Sequence, residues 1–251
     1  MSSGAVNWPA TMHSVIVTGG SRGLGLATAR MLATEGYRVI AIARRETTEL
    51  QKEIAEHEGK IAFMPFDFAD LHGIPDFVAI VKKKHGVPYG LINNAAIGTE
   101  GVLATMHNSE IEQLLRINVS APIILTKYIV RSMMAEGRGR VINVSSIVGS
   151  TGYNGLSVYA STKAAMIGFT KSLAREVGRV GITVNAVAPG FVATEMTAGL
   201  EERDRARIAR RSALQRLAEA DDVANAIGFL LSERARNITG TVMTVDAGAT
   251  A

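Results

Sequence analysis

The sequence predicts one α/β domain, with a parallel, doubly wound sheet and helices on both of its faces. Short apolar runs typical of buried strands alternate along the chain with segments of helical periodicity. A glycine-rich turn joins the first strand to the first helix, and no internal repeat or linker interrupts the alternation. This order implies right-handed crossovers between parallel strands, and ligands of such sheets bind at the carboxyl ends of the strands.

Length and composition fit a single globular domain. The 251 residues are 47% hydrophobic and 20% charged, with no cysteine and a net charge of +4. Without cysteine there is no disulfide framework, thiolate nucleophile or cysteine-ligated metal, and no metal site is predicted. The basic residues are scattered among acidic ones, which argues against nucleic-acid binding. No apolar run reaches the roughly 18 residues that cross a bilayer.

The amino-terminal residues differ from the rest of the chain. Residues 1–12 have neither a basic segment nor an apolar run, so we expect a flexible extension rather than a signal peptide. Residues 13–251 then form the single domain. Together with the absence of cysteine, this favours a cytoplasmic protein without membrane contact.

Each strand is predicted where a short run rich in valine, isoleucine and other apolar residues ends in glycine, asparagine, serine or another turn residue. The predicted strands are 14–18, 37–43, 60–66, 89–92, 140–144, 182–187 and 241–245. Helical periodicity predicts helices near 26–36, 46–58, 71–85, 109–137, 157–178 and 219–232. The fourth of these is unusually long, and we expect a bend at Pro122.

The first strand runs into the turn Thr18-Gly-Gly-Ser-Arg-Gly-Leu-Gly25. Glycine at such a turn lets the backbone approach a pyrophosphate, and the following helix offers amide donors and the positive end of its dipole. The spacing has one residue more between its first two glycines than the common dinucleotide fingerprint. Its position between the first strand and the first helix nevertheless predicts a dinucleotide site.

The end of the second strand indicates which dinucleotide binds. An acidic residue there would hold a ribose 2′-hydroxyl, whereas an arginine accommodates a 2′-phosphate. Residues 38–45 contain no acid, Arg44 stands at the strand end, and Arg22 lies in the glycine turn. The alternative is that both are solvated surface charges. We predict NADP(H) in preference to NAD(H).

Other strand ends carry further candidates. Asp67 follows the third strand, where it could hold an adenine amino group or cap the next turn, and the pattern favours the cap. The segment 191–214 is charged and irregular, so it is either a substrate lid after a strand end or a solvated connector.

The stretch from Ser146 to Lys163 carries the candidate chemistry. Tyr159 and Lys163 are four residues apart, so they share one face of the predicted helix, and Ser146 follows the preceding strand. Two unit charges about 4 Å apart interact with roughly 4 kcal/mol at an effective dielectric near 20. One pKa unit is about 1.4 kcal/mol. The ammonium is therefore expected to lower the phenol pKa from about 10 toward 7, where it can act as a general acid or base.

The pair alone does not establish that chemistry, because tyrosine and lysine four apart are common on helices. A half-buried aromatic residue beside a solvated lysine is the simpler explanation. Asn118 lies among apolar neighbours inside the long helix, where asparagine is a poor helix former. A packing asparagine with satisfied hydrogen bonds is again the simpler explanation.

Taken together, the ordered motifs resemble the classical short-chain dehydrogenase/reductase family from Ser14 to Gly248. Within it, the chain looks most like the 3-oxoacyl-[acyl-carrier-protein] reductases. The motifs are the glycine turn, Asn93-Asn-Ala-Ala96, Asn118, Ser146, Tyr159-Ala-Ser-Thr-Lys163 and Pro189-Gly190. Ala96 and Ala247 replace glycines of the family pattern, and each adds one methyl group at a point of close approach.

The resemblance implies a Rossmann-type domain with a defined catalytic set. Tyr159 would protonate the substrate carbonyl oxygen, and Ser146 would hydrogen-bond that oxygen. Lys163 would hold the nicotinamide ribose and lower the pKa of Tyr159, and Asn118 would anchor a water that relays protons to Lys163. The dinucleotide would contact Thr18, Gly19, Ser21, Arg22, Gly23, Leu24, Gly25, Arg44, Asp67, Phe68, Asn93, Ala95, Tyr159, Lys163, Pro189, Gly190, Val192 and Thr194.

These features predict an NADPH-dependent carbonyl reductase. Its substrate is expected to be a 3-oxoacyl thioester, as a small molecule or bound to an acidic carrier protein. The alternatives are a dehydrogenase of a sugar, polyol or other secondary alcohol on the same fold, and a non-catalytic NADPH-binding module. The resemblance also implies a homotetramer. A carrier protein would dock on basic residues near the cleft, with Arg138, Arg140, Arg179 and the arginines of 203–211 as candidates.

Overall fold

The computed structural model describes residues 12–192 and 202–251. The expected amino-terminal extension lies outside the described residues except for its last residue. Thr194 and part of the expected lid also lie outside them. The description below concerns these two ranges.

A parallel sheet forms the centre of the domain. In the described residues it has seven strands in the order β3-β2-β1-β4-β5-β6-β7. The strands are β1 (Ser14–Thr18), β2 (Arg38–Ala43), β3 (Ile61–Pro65), β4 (Gly90–Asn93), β5 (Gly139–Val144), β6 (Ile182–Pro189) and β7 (Val242–Val245). Each matches a predicted strand, with ends that differ by at most two residues.

Helices cover both faces of this sheet. They are α1 (Gly23–Thr34), α2 (Thr48–Glu56), α3 (Ile74–His85), α4 (Asn108–Leu115), α5 (Ala121–Glu136), α6 (Val148–Thr151), α7 (Ser157–Val177), α8 (Glu202–Arg211) and α9 (Ala220–Leu231). Successive strand residues point to opposite faces, so Val15 and Val17 pack with α1, α2 and α9 while Ile16 packs with α3, α5 and α7. The predicted doubly wound α/β fold is confirmed.

The long fourth helical segment is interrupted earlier than the sequence predicts. Between α4 and α5, residues Arg116–Ser120 form a π turn, in which the Ala121 N–H donates to the Arg116 carbonyl. Pro122 lies in the first turn of α5, where a missing N–H is tolerated. The π turn carries Asn118, and such turns are frequent at functional sites.

Among residues 12–192 and 202–251, none of the helices is both long and apolar enough to span a membrane. The same residues contain no group of three or more histidine or acidic side chains placed to hold a metal ion.

Candidate active site

The residues singled out from the sequence meet at one edge of the sheet. Val17 of β1 lies opposite Ile92 of β4. Asn93 at the end of β4 lies opposite Asn143 of β5, and Val144 lies opposite Val187 of β6. The carboxyl ends of these four strands are therefore adjacent. The glycine turn, Asn93, Ser146 and Pro189-Gly190 all follow them.

The glycine turn is shaped for close approach of a ligand. Gly19 and Gly23 have φ values of +67° and +53°, a region that favours glycine. A Cβ on Gly19 would lie 2.9 Å from the Asn94 amide nitrogen, and a Cβ on Gly25 would overlap the Gly19 carbonyl. Helix α1 receives no side-chain N-cap hydrogen bond. Its first amides can therefore bind an anion, as a dinucleotide pyrophosphate requires.

The buried Thr18 and the partly buried Asn94 hold this turn against β4. The Thr18 hydroxyl donates to the Ile92 carbonyl at 3.2 Å. It accepts the N–H groups of Asn94 and Ala95, each at 2.9 Å. The Asn94 amide donates back to the Thr18 carbonyl at 2.9 Å. These bonds fix the turn beside the small residues that follow β4.

Arg22 and Arg44 are both exposed, one in the glycine turn and one after β2. Thr47, the N-cap of α2, joins their two segments, because its hydroxyl donates to the Ser21 carbonyl at 2.6 Å and accepts the Leu50 N–H at 3.2 Å. The sequence analysis missed Thr47. A threonine three residues after Arg44 and just before a helical pattern is the signal that could have found it.

The candidate residues at the ends of β3 and β4 contact mainly other parts of the protein. Asp67 is exposed and accepts the Ala69 N–H at 2.9 Å, which is the turn-capping arrangement. Phe68 is buried and, with Ala95, lines a cavity of about 10 Å³. The Asn93 amide donates to Thr126 at 2.9 Å and to Asn143 at 2.8 Å, while its buried oxygen has no partner in the described residues.

Ser146 lies between the ends of β5 and β6. Its Oγ accepts the Val148 N–H at 3.4 Å and donates to the Pro189 carbonyl at 3.5 Å. Both bonds are long, so the hydroxyl is weakly held and can turn toward a substrate oxygen. The adjacent Ser145 is buried, and its hydroxyl donates to the Lys163 carbonyl at 2.8 Å.

Lys163 directs its ammonium at the main chain, whereas the sequence analysis expects it beside the Tyr159 hydroxyl. Its side chain is buried and its ammonium donates to the Val144 carbonyl at 2.9 Å. The ammonium nitrogen is 5.6 Å from the centroid of the Tyr159 ring. Burial raises the pKa of the Tyr159 phenol to about 12 and lowers the pKa of Lys163 to about 8.

The expected lowering of the Tyr159 pKa toward 7 is therefore wrong for this structure. Burial disfavours the charged form of each group, which raises the pKa of a phenol and lowers the pKa of an ammonium. At neutral pH the Tyr159 phenol keeps its proton. A phenol in that state can donate a proton to a substrate oxygen.

Asn118 connects the π turn to the helix that carries Tyr159. Its oxygen accepts the Ile97 N–H, and its nitrogen donates to the Ile97 carbonyl, both at 2.9 Å. The same nitrogen donates to the Thr162 hydroxyl at 3.2 Å, and Thr162 donates to the Tyr159 carbonyl at 2.7 Å. The Asn118 side chain is thus committed to protein partners.

The comparison with protein families decides the identity at family level. The family model described as short chain dehydrogenase matches residues 13–205. The chain belongs to this family. It is 38% identical over 234 residues to the 3-oxoacyl-[acyl-carrier-protein] reductase FabG of Escherichia coli, covering 93% of this chain and 95% of the relative. The corresponding reductase of Haemophilus influenzae is 39% identical over 234 residues, with 93% and 96% covered.

Two solved structures show the same fold. ElxO with NADP bound superposes with a TM-score of 0.88 at 30% identity, covering 95% of this chain and 99% of that one. A Tyr-to-Phe variant of ElxO with NADPH bound gives a TM-score of 0.87 at the same identity and coverage.

One of the two alanines that replace a family glycine has a strained backbone conformation. Ala247, in place of a family glycine, has φ +55°, a conformation that costs a non-glycine residue of order 1 kcal/mol or more. The Leu214 N–H donates to its carbonyl at 3.0 Å, and the Ala213 N–H donates to the Gly248 carbonyl at 3.2 Å. These bonds hold the segment after α8 to the chain that follows β7.

Three of the arginines predicted to dock a carrier protein lie away from the cleft of their own chain. Arg138 and Arg140 are at the amino end of β5, and Arg179 follows the carboxyl end of α7. The six residues of β5, at about 3.3 Å per residue, place Arg138 and Arg140 about 20 Å from Ser146. Arg179 lies at the same end of the sheet, because Ile182 pairs with Gly139. Arg140 is also buried and paired with Glu233 at 2.9 Å. The prediction that these residues lie near the cleft is wrong, because it ignored the length of the strand.

Besides Thr47, the sequence analysis missed two further residues of the candidate site. Thr162 and Ser145 each bond to a main-chain carbonyl of the turn that carries Tyr159 and Lys163. Thr162 is three residues after Tyr159 and Ser145 immediately precedes Ser146, so each adjoins a residue that was singled out. Their positions beside Ser146 and Tyr159 were the available signal. The groups that bond to their hydroxyls are known only once β5 and α7 are packed.

Proposed function

We propose that the chain is an NADPH-dependent carbonyl reductase that acts on 3-oxoacyl thioesters. One observation carries the proposal. A partly buried Tyr159, whose raised pKa keeps it protonated at neutral pH, lies one helical turn from Lys163, on the helix that follows Ser146, at the edge of the sheet that carries the glycine turn. Binding of a dinucleotide alone needs no such proton donor, so the arrangement favours an enzyme over a binding module.

NADP(H) fits the residues at this edge. The glycine turn and the uncapped start of α1 would hold its pyrophosphate, and Arg22 and Arg44 would pair with the 2′-phosphate. When bound, NADPH supplies a hydride to the substrate carbonyl carbon. The NADP and NADPH bound to ElxO support this choice of cofactor. Val192 would lie near the carboxamide.

The chain's own residues manage the substrate oxygen. Ser146 and Tyr159 would donate hydrogen bonds to it, and the Tyr159 phenol would release its proton as negative charge develops there. Lys163 would turn from the Val144 carbonyl toward the ribose, and its charge would then lie close enough to stabilise the phenolate. Asn118 would keep the start of α7 in place through Thr162.

The relatives support the choice of substrate, because they are named as reductases of 3-oxoacyl groups on acyl carrier protein. Acyl carrier protein is expected to dock by charge. Of the arginines proposed from the sequence, Arg203, Arg207, Arg210 and Arg211 of α8 remain candidates, since all four are exposed in the described structure. The segment following α8 is held beside the end of β7, at the carboxyl edge of the sheet.

Acetoacetyl carrier protein is expected to be reduced more efficiently than a short acetoacetyl thioester at low ionic strength, and this advantage is expected to shrink as salt is added. Attraction between exposed charges raises the association rate and is screened by salt. The measurement is kcat/KM for both substrates at low and high ionic strength. Replacing Arg210 and Arg211 by alanine should remove the advantage.

The matched control is Lys83→Ala, which removes an exposed cation at the end of α3, near the opposite edge of the sheet. It should leave the ratio of the two efficiencies unchanged. Equal efficiency for the two substrates without salt dependence would contradict docking and point to a reductase of small ketones.

We also expect a homotetramer with a mass of four times 26.6 kDa. Leu125 of α5 and Met166 of α7 are buried in their own chain and offer no apolar surface to a partner copy. Ile124 and Phe169 are only partly buried, and Leu115 and Met134 are each 43% exposed. Symmetric packing of helices would cover these side chains. Light scattering at micromolar concentration measures the mass, and a value near that of one chain would reject the expectation.

A further inference from the structure

The loop between Ser146 and Tyr159 has an unusual composition for a surface segment. Residues 147–158 contain no charged side chain. Within this loop, Tyr153 is 49% exposed, and its ring meets the ring of Phe191 edge to face, with centroids 5.7 Å apart and planes at 64°. The structure shows no hydrogen bond from the Tyr153 hydroxyl to the described residues. An exposed aromatic residue can form part of a ligand-binding surface where further exposed apolar residues adjoin it.

The two residues of this aromatic pair adjoin residues of the candidate site. Phe191 comes directly after Gly190, and the preceding Pro189 carbonyl accepts the Ser146 hydroxyl. Tyr153 lies six residues before Tyr159, between α6 and α7. The pair therefore joins the loop after α6 to the segment after β6, at the carboxyl edge of the sheet where ligands of such folds bind.

A second loop extends the same apolar surface. The Gly101 N–H donates to the Gly155 carbonyl at 2.9 Å, which joins the loop after β4 to the loop that carries Tyr153. Beside this bond, Val102 and Leu103 are 62% and 55% exposed. Glu100 is the only ionisable residue between positions 95 and 105. Neither loop has a cation to receive a phosphate or a carboxylate.

We propose that Tyr153 and Phe191 determine substrate specificity by binding the apolar alkyl arm of the ketone. The inference rests on the proposed function and narrows its substrate class to ketones with a neutral alkyl arm longer than a methyl group. An alkyl chain on the two rings removes apolar surface from water. A negatively charged arm would lose hydration there, and the surrounding loops have no cation to pair with it.

The test compares chain lengths in three variants. Wild type, Tyr153→Ala, Tyr153→Phe and Ile80→Ala are assayed with NADPH and 3-oxoacyl thioesters of four and ten carbons. Ile80 lies on α3 and is 48% exposed, so it matches Tyr153 in exposure but is outside the cleft. The same variants are assayed with aliphatic diketones of two chain lengths, and melting temperatures check that each variant is folded.

The wild type should prefer the longer thioester by at least tenfold in kcat/KM. Tyr153→Ala should lose most of that preference through a higher KM for the longer chain, with little change for the shorter one. Tyr153→Phe keeps the ring and should keep the preference, as should Ile80→Ala. An unchanged preference in Tyr153→Ala would overturn the inference while leaving the proposed function intact.

The diketones distinguish failure of the proposed thioester substrate from failure of the role proposed for Tyr153 and Phe191. If the thioesters are not reduced but the longer diketone is preferred and Tyr153→Ala removes that preference, the inference stands and the proposed thioester substrate is wrong. If no ketone of either series is reduced by the wild type, both are wrong. A wild type that reduces short and long substrates equally well also overturns the inference.

Discussion

Tyr159→Phe is expected to lower kcat by a factor on the order of 10² to 10⁴, the usual contribution of a positioned general acid. The substitution removes one hydroxyl and keeps the ring that packs in the cleft. Because burial holds the pKa of this phenol at about 12, the group is protonated at neutral pH and its loss removes the proton donor itself. Turnover of an acetoacetyl thioester measures the effect.

NADPH binding, followed by fluorescence, should be nearly unchanged in Tyr159→Phe, since the glycine turn and the arginines are intact. Tyr153→Phe is the matched control, because it removes a second phenol hydroxyl from the same cleft. It should retain most of the turnover of the four-carbon thioester. If Tyr159→Phe also retained turnover, the acid would have to lie elsewhere.

Arg44→Asp is expected to reverse the cofactor preference. In the wild type, charge-assisted bonds of roughly 1.5–3 kcal/mol each from Arg44 and Arg22 to the 2′-phosphate should give NADPH at least a tenfold advantage over NADH. An aspartate at position 44 would repel that phosphate and could instead accept a ribose hydroxyl. The ratio of kcat/KM for the two cofactors is the measurement.

The control for this change is Arg45→Asp, which introduces the same charge at the next exposed position. It should alter the ratio far less, because a specific contact depends on position while a general charge effect does not. Equal efficiency of the wild type with NADPH and NADH would refute the assignment of the arginines.

The sheet could be predicted from the sequence because its signals are local. Seven short apolar runs and the intervening helical periodicity specify the strands and helices, and the rule on strand ends specifies the edge where ligands bind. The candidate site residues Ser146, Tyr159 and Lys163 were located in the same way. Ser146 follows the strand pattern of β5, and Tyr159 and Lys163 are four residues apart in the helical pattern of α7. All three positions can therefore be read from the sequence.

Side-chain direction could not be predicted in this way. Lys163 shares a helix face with Tyr159, but the bond of its ammonium to the Val144 carbonyl depends on how α7 packs on β5. The sequence estimate assumed two solvated charges in contact and took no account of burial, which shifts both pKa values in the opposite direction. A similar omission placed Arg140 at the cleft, although it is buried at the other end of the strand.

Long-range hydrogen bonds also could not be predicted from the sequence. Ser145 bonds to the Lys163 carbonyl across 18 residues, Asn118 to the Thr162 hydroxyl across 44, and Thr47 to the Ser21 carbonyl across 26. A hydroxyl residue has many possible partners, so its role is known only once the elements are packed. Tyr153 likewise lies between Ser146 and Lys163, but no sequence signal marks it, because its exposure is a property of the folded chain.

The most direct test of the account is NADPH consumption by the purified wild-type protein with an acetoacetyl thioester, followed by the loss of NADPH absorbance and by detection of the 3-hydroxy product. The account predicts steady turnover in which one product molecule appears for each NADPH oxidised. Tight binding of NADPH without oxidation, for the thioester and for a panel of other ketones alike, would contradict it and leave a dinucleotide-binding module that is not an enzyme.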